Sequence, residues 1–204
     1  MPKENTIETN LSSYIRQNFN SKIASRKAEI EIFKDGTSKG PYFERGKMYV
    51  FVYNTPDEEF YDQMPVILSL GWIDSTHALG FNLHYIDYYN RLKICKMFIN
   101  IFLPQIERNI QKQYGNFSKQ TQLINFSYDS LSNNFIKKLG LNNAIHCYKI
   151  DRIKRISCLP YEKWHLGIIH NENHFVGGTI ADAQRQTYNT MKNANNKVKM
   201  RKSK

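Results

Sequence analysis

The chain is poor in cysteine, has no long apolar run, and carries none of the short motifs that mark a catalytic centre. Its three cysteines, Cys95, Cys147 and Cys158, are odd in number and show no CxxC spacing. That argues against both a disulfide framework and a zinc knuckle, and it predicts a reducing compartment. The longest apolar run, Met97 to Leu103, is interrupted by Asn100 and stops at Pro104, far short of the roughly 20 residues that cross a bilayer. The opening Met-Pro-Lys-Glu-Asn-Thr has no apolar signal region, so neither secretion by a standard signal nor membrane contact is expected. A Walker loop, a GxGxxG fingerprint, a Ser/His/Asp ordering and a paired-carboxylate motif are all absent. Enzyme activity therefore has no positive support, and no cofactor is expected.

What the chain does have is aromatic area and positive charge. Its 204 residues include 12 Phe, 13 Tyr and 2 Trp, enough to fill one real core without disulfide staples. The formal net charge of +11 is unevenly spread: residues 46–90 hold one base against six acids, whereas residues 91–204 hold 20 bases against 6 acids. A basic second half beside an acidic strand region implies a polyanion on one side and a basic protein neighbour on the other. The plainer reading, that positive charge only keeps the protein soluble, has to be weighed against it.

The expected fold class is α+β, a small antiparallel SH3-like β-barrel or meander packed with several α-helices. Residues 1–44 read as an N-terminal helical arm and connector, 45–180 as the core domain, and 181–204 as a basic, flexible tail. In the arm, Asn10 to Ser12 caps a helix to about Ala28 with an apolar stripe at Leu11, Tyr14, Ile15, Phe19 and Ile23. Lys47 to Asn54, Pro65 to Ile73 and Ala78 to Tyr85 read as three strands, the first apolar on both faces. From Tyr88 to Gln113 the period becomes helical, with a break near Leu103 at Pro104, and Asn133 to Leu139 reads as a shorter helix closed by Gly140. Ala144 to Ile156 is compatible with helix or strand. Pro160 to Phe175 reads as a turn followed by a short buried strand.

Two basic groups are candidates for phosphate contact. Lys197, Lys199, Arg201 and Lys202 crowd the C-terminal tail, where they would bind a polyanion without sequence preference and with steep salt dependence. Lys149, Arg152, Lys154 and Arg155 alternate with Ile150, Ile153 and Ile156, so packed structure holds them in fixed geometry. An ordinary solvated basic face is the competing reading. His165, His170 and His174 fall within ten residues and invite a metal-dependent nuclease reading. On a strand, however, positions four apart lie about 13 Å apart, too far for one ion. No metal site is expected. His84, flanked by Leu83 and Tyr85, reads as a structural histidine bonded to Asp62, Asp87 or backbone, and Tyr61-Asp62 as a turn whose carboxylate caps backbone amides ahead of Pro65.

At Gly46 to Tyr53, Phe60-Tyr61-Asp62-x-x-Pro65, Gly80-Phe81-Asn82-Leu83-His84-Tyr85 and Arg91-Leu92, the chain resembles virion-associated proteins of large tailed phages, the DNA end protector and head-completion group. Arg152-x-x-Arg155 followed by Leu159-Pro160 and Trp164 is a further echo. The resemblance spans about residues 45–175, with specific motifs in the first half. It departs from the group at Ile86-Asp87-Tyr88, where prolines usually follow the His-Tyr strand, and residues 105–140 match nothing in it. It implies a non-enzymatic structural protein that is part of a multimeric assembly. Such a protein would reside in the virion, and in the host cytoplasm during assembly, meeting other virion proteins and packaged double-stranded DNA or its ends. A protein-binding adaptor of a neck, tail or baseplate, without DNA contact, is the alternative.

Overall fold

The structure is a computed structural model that describes residues 2–17, 21–34, 43–56, 58–98, 144–170, 175–179, 181–182 and 185. It is an α+β fold built on a five-stranded antiparallel sheet. The strands are β1 (Met48–Tyr53), β3 (Val66–Trp72), β4 (His77–Asn82), β5 (Ile145–Lys149) and β6 (Ile153–Leu159), in the order β5-β4-β3-β1-β6. Two further short strands, β2 (Tyr61–Asp62) and β7 (Phe175–Val176), pair with each other.

The β1 sequence explains why the sheet is covered on both faces. Side chains alternate across a strand: Met48 and Val50 join one buried cluster with Val66, Leu68 and Phe81, while Tyr49, Phe51 and Tyr53 join a second with Phe43, Ile67 and Tyr148. The second cluster is aromatic and packs mostly edge to face. Phe51 and Tyr148 meet at 5.0 Å and 90°, and Tyr53 and Tyr148 at 5.3 Å and 86°. Strands β1 and β5 are not neighbours in the sheet, so these contacts close across a concave face.

Chain connectivity forces that curvature. Strands β5 and β6 are opposite edges of the sheet, yet only the 3-10 turn Ile150–Arg152 joins them. Edge-to-edge distance in a flat five-stranded sheet is about 19 Å, whereas four Cα steps reach at most about 15 Å. The register widens the mismatch, because Lys149 lies opposite His77 at one end and Ile153 opposite Tyr53 at the other. The sheet must roll up. The Lys149 amide accordingly donates to the Tyr53 hydroxyl at 3.3 Å, and the Asn54 amide to the Arg152 carbonyl at 3.1 Å. Among the described residues no ladder joins β5 to β6.

Helices cover the convex face. Where spacing predicts one helix over Leu11 to Ala28, there are two, α1 (Pro2–Gln17) and α2 (Ser21–Lys34). Leu11 from α1 and Ala24, Ala28, Ile32 and Phe33 from α2 enter the core, while Ile15 and Ile23 stay exposed. The predicted stripe therefore splits, because two helices present two faces. The end of α2 is finished by β6: Ser157 Oγ donates to the Ile32 carbonyl at 3.0 Å, and Arg155 donates to the Phe33 carbonyl at 3.2 Å while lying over the Phe33 ring. These bonds satisfy carbonyls that a helix C-terminus leaves without intrahelical donors.

The helix expected from Tyr88 is present as α3, residues 88–98. Asp87 caps it by accepting from the Asn90 amide at 3.1 Å. The expected break at Leu103, the helix Asn133–Leu139 and all of the tail but residues 181–182 and 185 lie outside the described residues. Two expectations are corrected. The third strand ends at Asn82, and Leu83–Tyr85 is a 3-10 turn whose His84 amide bonds back to the Asn82 side chain. The stretch expected as a buried strand is a short helix, α4 (Trp164–Ile169). Its apolar run is buried helically against α1 and α2, and an apolar run of that length does not reveal its period. Ala144 to Ile156 resolves as strand, 3-10 turn and strand.

Gly177 closes the turn behind β7 with φ +83°, and a Cβ there would run into the Glu59 carbonyl oxygen. Gly177→Ala is expected to lower unfolding free energy by about 1–3 kcal/mol, read as a lower midpoint in urea denaturation. An unchanged midpoint would show that the β2–β7 pair is not held by this turn.

Candidate functional site

The densest polar constellation in the described residues is buried and centres on Asp62. Strand β2 carries this carboxylate, β4 ends in Asn82, the following 3-10 turn supplies His84, α3 supplies Arg91, and the residue after α4 is His170; all five are buried. Asn82 Nδ2 donates to Asp62 Oδ2 at 2.8 Å, the Met64 amide donates to Oδ1 at 3.1 Å, and His84 Nδ1 lies 2.8 Å from Oδ2. With Asp62 ionised, His84 Nδ1 carries a proton. The far nitrogen, Nε2, then meets Nδ1 of His170 at 2.9 Å, with the two rings stacked at 5.1 Å. Of the three partners expected for His84, Asp62 is the one used.

Burial would raise the Asp62 carboxyl, but the His84 ring, the Asn82 amide and the Met64 N–H together hold it below its ordinary value. Arg91 bonds to carbonyls: Nε donates to Ile86 O at 2.8 Å, and Nη1 donates to Ile168 O at 3.1 Å and His170 O at 3.0 Å. Burial lowers its guanidinium to about 10, against the pull of Cys95, Asp62 and Asp87. Nearby His146, tilted against the Tyr148 ring at 4.5 Å and 53°, is pushed down to about 4 by burial, although Asp62 pulls the other way. These groups sit too deep to meet a macromolecule. Their chemistry is to lock together β2, β4, α3 and the end of α4.

The sequence motif Tyr61, Asp62, Pro65, Gly80, Asn82, His84, Tyr85 is therefore one place in space. Pro65 and Gly80 hold the strands around it: the Pro65 carbonyl accepts from Phe51 N, and Gly80 lies opposite Ser69 and His146. Tyr61 and Tyr85 close its flanks, with Tyr85 stacked on Phe175 at 5.7 Å. His170 was not readable as a member, because its partner His84 lies 86 residues away; Arg91 stood in the resemblance, but its bonds to the Ile168 and His170 carbonyls, 77 and 79 residues away, were not readable.

The exposed chemistry lies at the β5–β6 corner. Lys149 ends β5, Arg152 ends the 3-10 turn, and Lys154 projects from an irregularity where β6 slips against Val52 and Tyr53. Lys154 is exposed, and Lys149 and Arg152 are half-buried. Arg155 diverges from the other three, since it leans on Phe33 at the end of α2. Asp151 lies 3.8 Å from the Arg152 guanidinium. Lys197, Lys199, Arg201 and Lys202 fall outside the described residues, as does His174. His165 bonds to the Glu162 carbonyl at 3.0 Å and packs on Tyr14, away from His170, which faces His84. Among the described residues no group of three or more His, Cys, Asp or Glu is placed to hold a metal.

No protein-family model, no curated protein and no solved structure matches this chain. No helix among the described residues is long and apolar enough to cross a membrane.

The buried groups set an acid limit. Folded His146 refuses a proton down to about pH 4, whereas its ordinary value is 6.5. The unfolded chain thus binds more protons in that window, and stability falls as pH drops through it, by up to about 3 kcal/mol. The Asp62 contribution is present above the ordinary carboxylate range and is lost below it. His146→Phe is expected to flatten melting temperature against pH between 6.5 and 4; an unflattened profile would assign the acid loss elsewhere.

Proposed function

We propose that this protein is a non-enzymatic structural component of a phage virion whose β5–β6 corner contacts the phosphate backbone of packaged double-stranded DNA or its ends. The observation that carries this reading is the placement of Lys149, Arg152 and Lys154 on one corner held by strand ladders, in a chain of net charge +11. A strand-borne patch presents charge at fixed spacing, which positions phosphates without reading sequence. The strand order and the 3-10 link between β5 and β6 further support an SH3-like barrel as the core. So does the resemblance of the Tyr61–Asp62 and Asn82–His84 segments to head-completion and DNA end protector proteins. Arg155 has a different task here, finishing α2, and the tail adds non-specific affinity.

A second reading, a protein-binding adaptor in a neck, tail or baseplate, is favoured by Ile15, Ile23 and Ile30. These stand 45%, 51% and 64% exposed on α1 and α2. The two readings part on DNA retention at low salt, which the adaptor lacks, and on a stable complex with another virion protein, which it requires.

Binding of a short duplex measured across a salt series tests the DNA reading. Replacing Lys149, Arg152 and Lys154 together by Ala is expected to weaken binding and to flatten the log–log salt slope by about 2–3. Arg155→Ala is expected chiefly to lower melting temperature, since it removes a charged hydrogen bond worth about 1.5–3 kcal/mol. A slope unchanged in the triple variant would remove the corner from the interface.

A further inference from the structure

Among the described residues the buried charge is one-sided. Asp62 is the only buried acid, and His84, His146, His170 and Arg91 are buried with it. Arg91 is already cationic at neutral and acid pH, since even lowered to about 10 its guanidinium keeps its proton. The carboxylate is therefore matched before any histidine is charged. Asp87, the other carboxylate acting on Arg91, is exposed and caps α3. Each proton taken up from there adds positive charge that no second buried carboxylate answers.

The contact between His84 Nε2 and His170 Nδ1, at 2.9 Å, holds one hydrogen. With His84 Nδ1 bonded to ionised Asp62 at 2.8 Å, the pair can be two neutral rings, or one neutral ring and one imidazolium, and the contact survives in both. A second imidazolium sets N–H against N–H. Protonating Asp62 instead weakens the acceptor that His84 Nδ1 and Asn82 Nδ2 share. No neighbour relieves the excess. Tyr148 of β5 and Cys95 of α3 are pushed up by burial and stay uncharged in acid. Tyr85 lies in the same turn as His84, His146 of β5 would only add positive charge, and His165 of α4 turns away to the Glu162 carbonyl.

This chain of bonds fastens two pieces of the fold. Asp62 pairs through its backbone with Phe175 of β7, and the Phe175 ring lies 5.7 Å from Tyr85 and 6.5 Å from His84. His170 follows α4, and its carbonyl accepts from Arg91 at 3.0 Å. The five-stranded sheet is held differently, by ladders and by edge-to-face rings that take up no proton. His146, its one buried histidine, stays neutral down to about pH 4.

We infer that Asp62, His84 and His170 form an acid-sensitive lock: β7 and the end of α4 are held to β2 and the 3-10 turn while the histidine pair carries at most one positive charge, and are released on acidification before the sheet unfolds. A buried histidine pair biasing a locally opening element is enough for such a switch. It stands apart from the DNA-contact reading, which needs only the outer corner.

Hydrogen exchange of the full chain, read by mass spectrometry from about pH 7 to about pH 4 and corrected for the intrinsic pH dependence of exchange, tests the lock. Protection at Tyr61–Met64, Leu83–Tyr85, Trp164–His170 and Phe175–Val176 is expected to fall at least about tenfold, the loss of one charged hydrogen bond, at a pH where Met48–Tyr53 and Val66–Trp72 stay protected. His170→Asn puts an amide where Nδ1 stands and cannot take the second charge, so these peptides should remain protected to the acid end of the series. His146→Phe should leave the local opening in place. Simultaneous loss of protection everywhere in the wild type would overturn the inference. So would an opening that persists unchanged in His170→Asn or vanishes in His146→Phe. Should His170→Asn show no cooperative melt, the order of opening in the wild type and in His146→Phe decides the matter.

Discussion

The rest of the structure depends on one buried charge. Asp62 is out of water, and an ionised carboxylate there is tolerable only because the Asn82 amide, the Met64 N–H and the His84 ring converge on it. Met64 is local to Asp62, but Asn82 and His84 come from the end of β4 and the turn it caps, 20 and 22 residues away, so satisfying the carboxylate fixes how β2 meets that segment. His84 passes the constraint on to His170, and Arg91 fastens the end of α4 through two carbonyls. A chain that misplaced any of these segments would strand a charge in the core.

Around that knot the sheet is shaped by a short connection. Three residues between opposite edges leave the sheet no choice but to roll. Rolling brings Tyr148 onto Phe51 and Tyr53, so one interior becomes an aromatic cluster and the outer face is left for helices. The same turn that forces the curvature carries Arg152 and is flanked by Lys149 and Lys154. Curvature and the presentation of positive charge are thus consequences of one piece of chain.

Much of this was legible in the sequence, and particular residues show why. Met48 to Tyr53 is apolar at every position but alternates aliphatic with aromatic, which is what a strand between two different layers requires. Asp87 ahead of Tyr88 marks a helix start that is present. Tyr61-Asp62, expected as a turn and found as the short strand β2 with its carboxylate capping the Met64 amide, and Asn82-Leu83-His84, expected as a strand end and found as β4 passing into a 3-10 turn, stood out as a motif and are joined in space. Less legible were elements whose local pattern is short. Leu166 to Ile169 is a brief apolar run whose period cannot be read, and it became helix because α1 and α2 pack against it. The 3-10 turn after Asn82 depends on one side-chain cap. Arg155 looked like a fourth member of a basic cluster, and only its contact with Phe33 reveals that it completes a helix end.

Composition and local spacing by themselves determined that this chain is a basic α+β protein with an aromatic core, three early strands, helical structure ahead of them and a helix beginning at Tyr88, but not that the first helical stretch is two helices, Pro2–Gln17 and Ser21–Lys34. These are short-range properties, set by side-chain alternation, capping and turn chemistry within a few residues. Only the tertiary structure decided that His170 answers His84, that Arg91 is buried on carbonyls, and that Arg155 and Ser157 finish the end of α2. Those facts rest on contacts between segments many tens of residues apart, or on which face of a rolled sheet a side chain happens to meet. No local pattern encodes them, because the energy that selects them arises only when distant pieces of chain are packed together.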